Sequence, residues 1–336
     1  MPTRILIIRA GQLGDTAYAS SIIEPLRHHF GNDILIDWVA KTGMGNIFRE
    51  DPRINNIFEV KSRRLPIPFN QHKLRIIFHS LKNPYVLVIN LESGSIFNGV
   101  MRLIRAKKKV GMPYQFFSEP PESHAVENLK LIYKSFLNAS DLEFAIPSLI
   151  GTNPDWVKTK FNLPDLYYVL VPANSHLEKS SSINHRAWPI QHWQELMRLM
   201  SEAGLNGVII GGKNDMSFFN QFENYPPNII SLVGQTNFPQ LIGLIQGAQG
   251  VITTDTGPSH IAAAVNTPVY ALIGPTNYKR TGPYKTENNQ VHILTVNLPC
   301  SPCYHTDRLN ICNHNECMFN ITPTKVMDSI TNNKTI

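Results

Sequence analysis

Residues Gly250 to Gly274 read GVITTDTGPSHIAAAVNTPVYALIG, and no other stretch restricts the fold as strongly. Two apolar runs, Val251-Ile252 and Val269 to Ile273, have the length and composition of buried strands. Between them stands a polar knot, Thr253 to His260, leading into the helix-forming SHIAAAVN. Strand, turn, helix and strand in so short a span make a βαβ unit, and a crossover helix joins strands that run parallel.

The same alternation recurs along the chain. RILIIRAGQLGDTAYASSIIEPLRHHF reads as a strand, a glycine turn and an amphipathic helix; ILIDWVA and YVLVIN read as buried strands and HKLRIIFHSLK as a helix. After FAIPSLIGTNP the pattern restarts with the strands YYVLVPANS and NGVIIGG, and a helix over PIQHWQELMRLMSEAG separates them. PQLIGLIQGA predicts a further helix. The 336 residues exceed one ordinary core, which predicts an α/β protein of two doubly wound domains, 1–150 and 151–320. A closing helix and tail over 321–336 follow, with Thr322 as N-cap and Pro323 at the first helical position.

Composition narrows the function. Hydrophobic residues make up 42% and charged residues 17%, so the chain can bury a large core. Ile5 to Ile8 is too short for a signal-peptide core or a membrane span, which predicts a cytoplasmic protein. Residues 1–136 carry 19 Lys and Arg against 11 Asp and Glu, while the remainder carries 12 against 14. The basic half is densest at Arg102, Arg105, Lys107, Lys108 and Lys109, with a second cluster at Lys61, Arg63 and Arg64. Such a face suits solvent, an anionic ligand or a membrane surface; no aromatic-interleaved motif accompanies it, which argues against nucleic acid.

In open α/β sheets, ligands sit beyond the carboxyl ends of strands, and both polar turns fall there. The knot opens a helix whose free N–H groups suit a phosphate, flanked by Asp255 and His260. Helix capping by Asp255 or Thr256 is the plainer reading, and Asp15 could likewise cap a helix beginning at Thr16.

Together, IIRAGQLGDTAYASSIIEPLR, RAWPIQHWQEL, the long block LVGQTNFPQLIGLIQGAQGVITTDTGPSHIAAAVNTPVYALIGPTNYKRTGPY and CSPC resemble the glycosyltransferase family 9 heptosyltransferases of lipopolysaccharide inner-core assembly. The resemblance implies a GT-B fold, two Rossmann-like domains facing across a cleft, with the acceptor held mainly by the first and the nucleotide-sugar by the second. It implies Asp15 as catalytic base and Asp255, Thr256, Gly257 and His260 as the grip on sugar and diphosphate. Asn174 and Ser175 fall on the family's first donor-domain loop, and Asp215 on its ribose-binding acid. Arg186 replaces the usual lysine before Trp188-Pro189, keeping the charge, and HLEKSSSIN, with Lys179, is a longer insertion than the family pattern. No Asp-x-Asp pair stands where a diphosphate needs one, which predicts metal-independent catalysis.

The four cysteines, Cys300, Cys303, Cys312 and Cys317, crowd into one segment with His305 and His314. In a cytoplasmic chain that spacing suits a structural zinc or iron, with unligated thiols as the alternative and disulfides a distant third. The expected activity is inverting transfer of heptose from ADP-heptose to an anionic lipid A-core acceptor by an enzyme peripheral to the inner membrane. Another nucleotide-sugar or a protein acceptor is the alternative on the same fold. A nicotinamide-dependent oxidoreductase would want the Gly-x-Gly-x-x-Gly turn, which RAGQLGD lacks, and a non-catalytic surface protein would leave Asp15 and the knot unused.

Overall fold

The computed structural model describes all residues except Met1, 62–63, 118–119, 121, 175–182, 223 and 333–336. Ser175 and Lys179 therefore lie outside the described residues, as does Arg63. The chain forms two compact units, Met1–Gly151 and Thr152–Ile336, each built on one parallel sheet.

In the first unit, strands β1 (Arg4–Ile8), β2 (Leu35–Lys41), β3 (Ile54–Val60), β4 (Tyr85–Asn90) and β5 (Ala106–Gly111) lie in the order β3-β2-β1-β4-β5. Its helices are α1 (Leu13–Ala19), α2 (Ile23–Phe30), α3 (Gln71–Lys82), α4 (Asn98–Leu103), α5 (Ala125–Tyr133) and α6 (Ala139–Glu143). Ile76 and Ile77 of α3 and Val100 and Met101 of α4 pack on Leu6, Ile8 and Val88 of the central strands. The opening helix, read as continuous, is broken by a 3-10 turn at Ser20–Ile22. Pro25 explains the break, because it has no N–H to donate and its ring clashes with the carbonyl four residues back. At the end of β5, Gly111 has φ +85 and an added Cβ would meet the Asn90 carbonyl at 2.1 Å, so only glycine fits.

The second unit holds β6 (Tyr168–Val171), β7 (Gly207–Ile209), β8 (Ile229–Ser231), β9 (Gly250–Thr254), β10 (Val269–Leu272) and β11 (Val291–Leu294), in the order β11-β10-β9-β6-β7-β8. Its helices run α7 (Pro154–Lys160), α8 (Ile190–Glu202), α9 (Met216–Phe219), α10 (Phe238–Gln246), α11 (Gly257–Ala264), α12 (Tyr278–Thr281), α13 (Asp307–Asn310), α14 (Glu316–Phe319) and α15 (Pro323–Asn332). Pro189 caps α8 rather than lying inside it, and Gly204 follows the helix at φ +66, the left-handed stop that glycine favours. The hydroxyl of Thr322 accepts from the N–H of Lys325 at 3.2 Å, starting α15 where its cap and proline predict. Buried Val326 and Ile330 then join Trp193, Leu196 and Met200 of α8 in one core. Among the described residues no helix is long and apolar enough to cross a membrane.

Candidate active site

Asp15 lies just beyond the carboxyl end of β1. It sits in the third position of α1, behind Gln12 as N-cap, so the helix does not begin at Thr16 as its capping potential suggested. One carboxylate oxygen accepts from Arg9 Nη2 at 2.8 Å and the other from the Gln12 N–H at 2.9 Å. Arg9 is anchored in turn through Nη1 to the carbonyl of Leu91, past the end of β4, at 2.6 Å. Gly11 makes the fold-back possible, since a Cβ there would stand 2.5 Å from that of Asp15. Glu92 closes the turn from the other side by accepting the Ala10 N–H at 2.7 Å. Lys41, at the end of β2, donates to the Gln12 side chain at 3.1 Å. It also lines a cavity of about 520 Å³ with Lys61 and Arg64, three cations in one concavity. Arg9, Glu92 and Lys41 were not singled out by the sequence; only the carboxyl ends of neighbouring strands bring them to Asp15.

In the second unit, β9 delivers Thr253 to Asp255 to the start of α11 with Thr256 as N-cap and Gly257 as first helical residue. The two threonine hydroxyls, of Thr253 and Thr256, stand 3.0 Å apart. Asp255 and His260 are both buried, 8% exposed. Arg186 reaches Asp255 at 3.3 Å, and its guanidinium lies 5.3 Å from the centre of the Tyr304 ring. Asn174, past the end of β6, accepts from Asn184 at 2.8 Å. Asp215, past β7, accepts the Gly212 N–H at 2.7 Å, so part of its carboxylate serves a local turn. Thr254 and Thr276, at the ends of β9 and β10, carry buried hydroxyls with no hydrogen-bond partner among the described residues. A buried hydroxyl without a partner beside a helix N-terminus, as at Thr254, suits an oxygen-rich ligand.

A sequence profile of glycosyltransferase family 9 (heptosyltransferase) matches residues 117–313, more than half of the chain. The chain belongs to this family. It is a glycosyltransferase. Lipopolysaccharide heptosyltransferase 3 of Escherichia coli is 25% identical over 288 residues, 79% of this chain and 82% of that protein. Lipopolysaccharide heptosyltransferase 1 of Pseudomonas aeruginosa is 24% identical over 328 residues, 89% of this chain and 86% of that protein. The structure of the E. coli ADP-heptose lipopolysaccharide heptosyltransferase II superposes with a TM-score of 0.77 at 18% identity, covering 99% of this chain and all of that one. The fold is accordingly GT-B.

In this glycosyltransferase the segment after β11 clasps the strip that carries Arg186. The N–H groups of Cys303 and Tyr304 both donate to the Pro275 carbonyl at 2.9 Å. His185 Nε2 meets the Cys312 carbonyl at 2.8 Å, and Trp188 donates to that of Ile321 at 2.8 Å. All four cysteines are free thiols, with Cys303 and Cys317 buried and Cys300 exposed. Burial, with the neighbouring thiols Cys303, Cys300 and Cys312 adding to it, pushes Cys317 up to about 11. No three Cys, His, Asp or Glu side chains among the described residues stand where they could hold one metal ion.

The basic run of the first unit is not brought to Asp15. Arg102 and Arg105 precede β5, and Ala106 pairs with Tyr85 at the amino end of the sheet. That is about five residues of strand, roughly 17 Å, from the end where Asp15 lies. The run is also divided between two faces. Lys109 Nζ reaches the Arg102 carbonyl beside α4 at 3.1 Å, whereas Lys108 Nζ points to the Ser135 carbonyl behind α5 at 3.5 Å.

Proposed function

We propose that this enzyme transfers heptose, with inversion, from ADP-heptose to an inner-core lipopolysaccharide acceptor, and that its chemistry uses no metal. The reading rests on the constellation at the end of β9: Arg186, buried Asp255 and His260, and the N-terminus of α11 with the orphaned hydroxyls of Thr254 and Thr276. Relatives named as lipopolysaccharide heptosyltransferases, and a neighbour named for ADP-heptose, support the choice of sugar and nucleotide. The anionic acceptor is assigned to the first unit, where Lys41, Lys61 and Arg64 line a cavity bordering the Asp15 turn. On this reading the enzyme works in the cytoplasm, at the membrane face that carries the acceptor.

In the proposed reaction the acceptor hydroxyl attacks the anomeric carbon opposite ADP. The new C–O bond forms as the bond to ADP breaks, and the hydroxyl proton passes to Asp15. The diphosphate gains charge as it leaves, and Arg186 with the α11 N–H groups meets that charge. Asp255 and His260 are left to hold the sugar, with Asn174, Ser175 and Asp215 on the nucleotide side. A structural zinc or iron on the four cysteines would require the sulfurs to draw closer together, and no step passes through it.

Mass-spectrometric assay of purified protein with ADP-heptose, other nucleotide-sugars and truncated lipid A-core acceptors tests the reading. Asp15→Asn keeps shape but removes basicity, and should lower kcat by about two to four decades while ADP binds as before. Arg186→Ala should weaken ADP in calorimetric titration and lower kcat as well. An Asp15→Asn enzyme at wild-type speed would return that residue to a helix-capping role, and failure with every ADP-heptose pairing would move the choice to another donor.

A further inference from the structure

The outer face of the α3–α4 layer is apolar where a surface should be polar. Ile76 and Ile77 of α3 point into the core, yet Phe78 is 59% exposed and Leu81 49%. Leu103, at the end of α4, is 55% exposed, since Val100 and Met101 take the inner face. The two helices pack side by side, and Ser80 of α3 accepts the backbone N–H of Arg105, just beyond α4, at 3.0 Å.

The segment that carries these side chains is charged almost entirely with one sign. From Val60 to Ser118 the chain carries eleven Lys and Arg and one acid, Glu92, which is engaged by the Ala10 N–H at the other end of the sheet. Lys82, Arg102 and Arg105 are exposed beside the apolar side chains. Cations flanking exposed aromatic and aliphatic groups on an amphipathic helix match anionic headgroups over acyl chains.

We propose that this face, centred on Phe78, Leu81 and Leu103 and rimmed by Lys82, Arg102 and Arg105, docks the enzyme on an anionic lipid bilayer. The inference builds on the proposed function, whose acceptor is membrane-borne. Leu65, itself 40% exposed, follows Arg64 in the lining of the cationic cavity and lies in the segment leading into α3. Lys108 lies on the opposite face and takes no part.

Flotation of the full chain with phosphatidylglycerol-containing and pure phosphatidylcholine vesicles tests this at low and high salt. The wild type should float with the anionic vesicles only. Arg102→Gln with Arg105→Gln should bind about tenfold or more weakly at 0.1 M salt, each cation contributing near the surface. Phe78→Ser with Leu81→Ser should lose the fraction that resists high salt, and Lys108→Gln should bind like wild type. A wild type indifferent to anionic vesicles, or serine variants that bind unchanged while thermal melts confirm folding, would overturn the proposal. Vesicle indifference with capture of an acidic protein would hand the face to that partner. Sugar transfer to a lipid-free acceptor fragment, assayed in parallel, should be unaltered in the Phe78/Leu81 variant. Absent transfer in the wild type would count against the proposed reaction and leave the flotation result standing.

Discussion

Asp15 has both carboxylate oxygens engaged before any substrate arrives, one by Arg9 and one by the Gln12 N–H. Geometry of this sort fixes where a base points, and Arg9 itself is fixed by its bond to the Leu91 carbonyl. Position accounts for much of what a catalytic group contributes, because a misplaced base cannot meet the proton in the transition state. Arg9→Met should therefore lower kcat about ten- to a hundredfold with ADP affinity unchanged, and Arg9→Lys should recover part of the loss. Steady-state rates set beside calorimetry separate this from unfolding; equal losses in kcat and ADP binding would mean that the turn collapses without its arginine. In the second unit Tyr304 holds the corresponding post, its ring beneath the Arg186 guanidinium.

At the scale of elements, the cysteine segment behaves as a clasp on residues 185–188. Its grip comes from backbone carbonyls and indole and imidazole nitrogens rather than from sulfur. The sulfurs differ in environment: Cys300 is exposed, while burial, reinforced by neighbouring thiols, raises Cys303 and Cys317. A thiol raised from 9.0 to about 11 holds about a hundredfold less thiolate at pH 8, and burial slows it further. Iodoacetamide at that pH should modify Cys300 early and Cys317 last, as read by mass spectrometry. Equal rates would mean that the segment is undocked. Protection of all four, with stoichiometric zinc or iron by elemental analysis that is lost in Cys303→Ser, would reveal a metal that gathers the sulfurs.

For the whole molecule, the two units are assigned different ligands, and ADP alone separates them. Hydrogen exchange with ADP added should slow at Gly257 to His260 and around Tyr304, because a ligand that binds only the folded site suppresses its opening. Exchange in α1, Leu13–Ala19, should be unchanged. Protection of α1 instead would exchange the roles of the units.

Among the described residues, seven inner strands were legible from their apolar runs, and so were the polar knots at their ends. The four strands that were not, β3, β5, β8 and β11, are all sheet edges. INNIFEV and AKKKVG carry polar side chains because an edge has one bonded neighbour and is partly wet, and lysines there also deter pairing with other chains. Asp15 and the Asp255–His260 loop could be picked out because motif and strand end coincide, and Arg186 by its place before Trp188-Pro189. The sequence by itself therefore determined the family, the α/β alternation and the residues nearest the proposed chemistry, all of which depend on local pattern. The tertiary structure decided which distant side chains join them: Arg9 with Leu91, Lys41 with the cavity, Tyr304 under Arg186. It also divided one run of lysines between two faces. Strand order and the two-residue period of a strand control those outcomes, and both are settled by pairing between segments far apart in the chain.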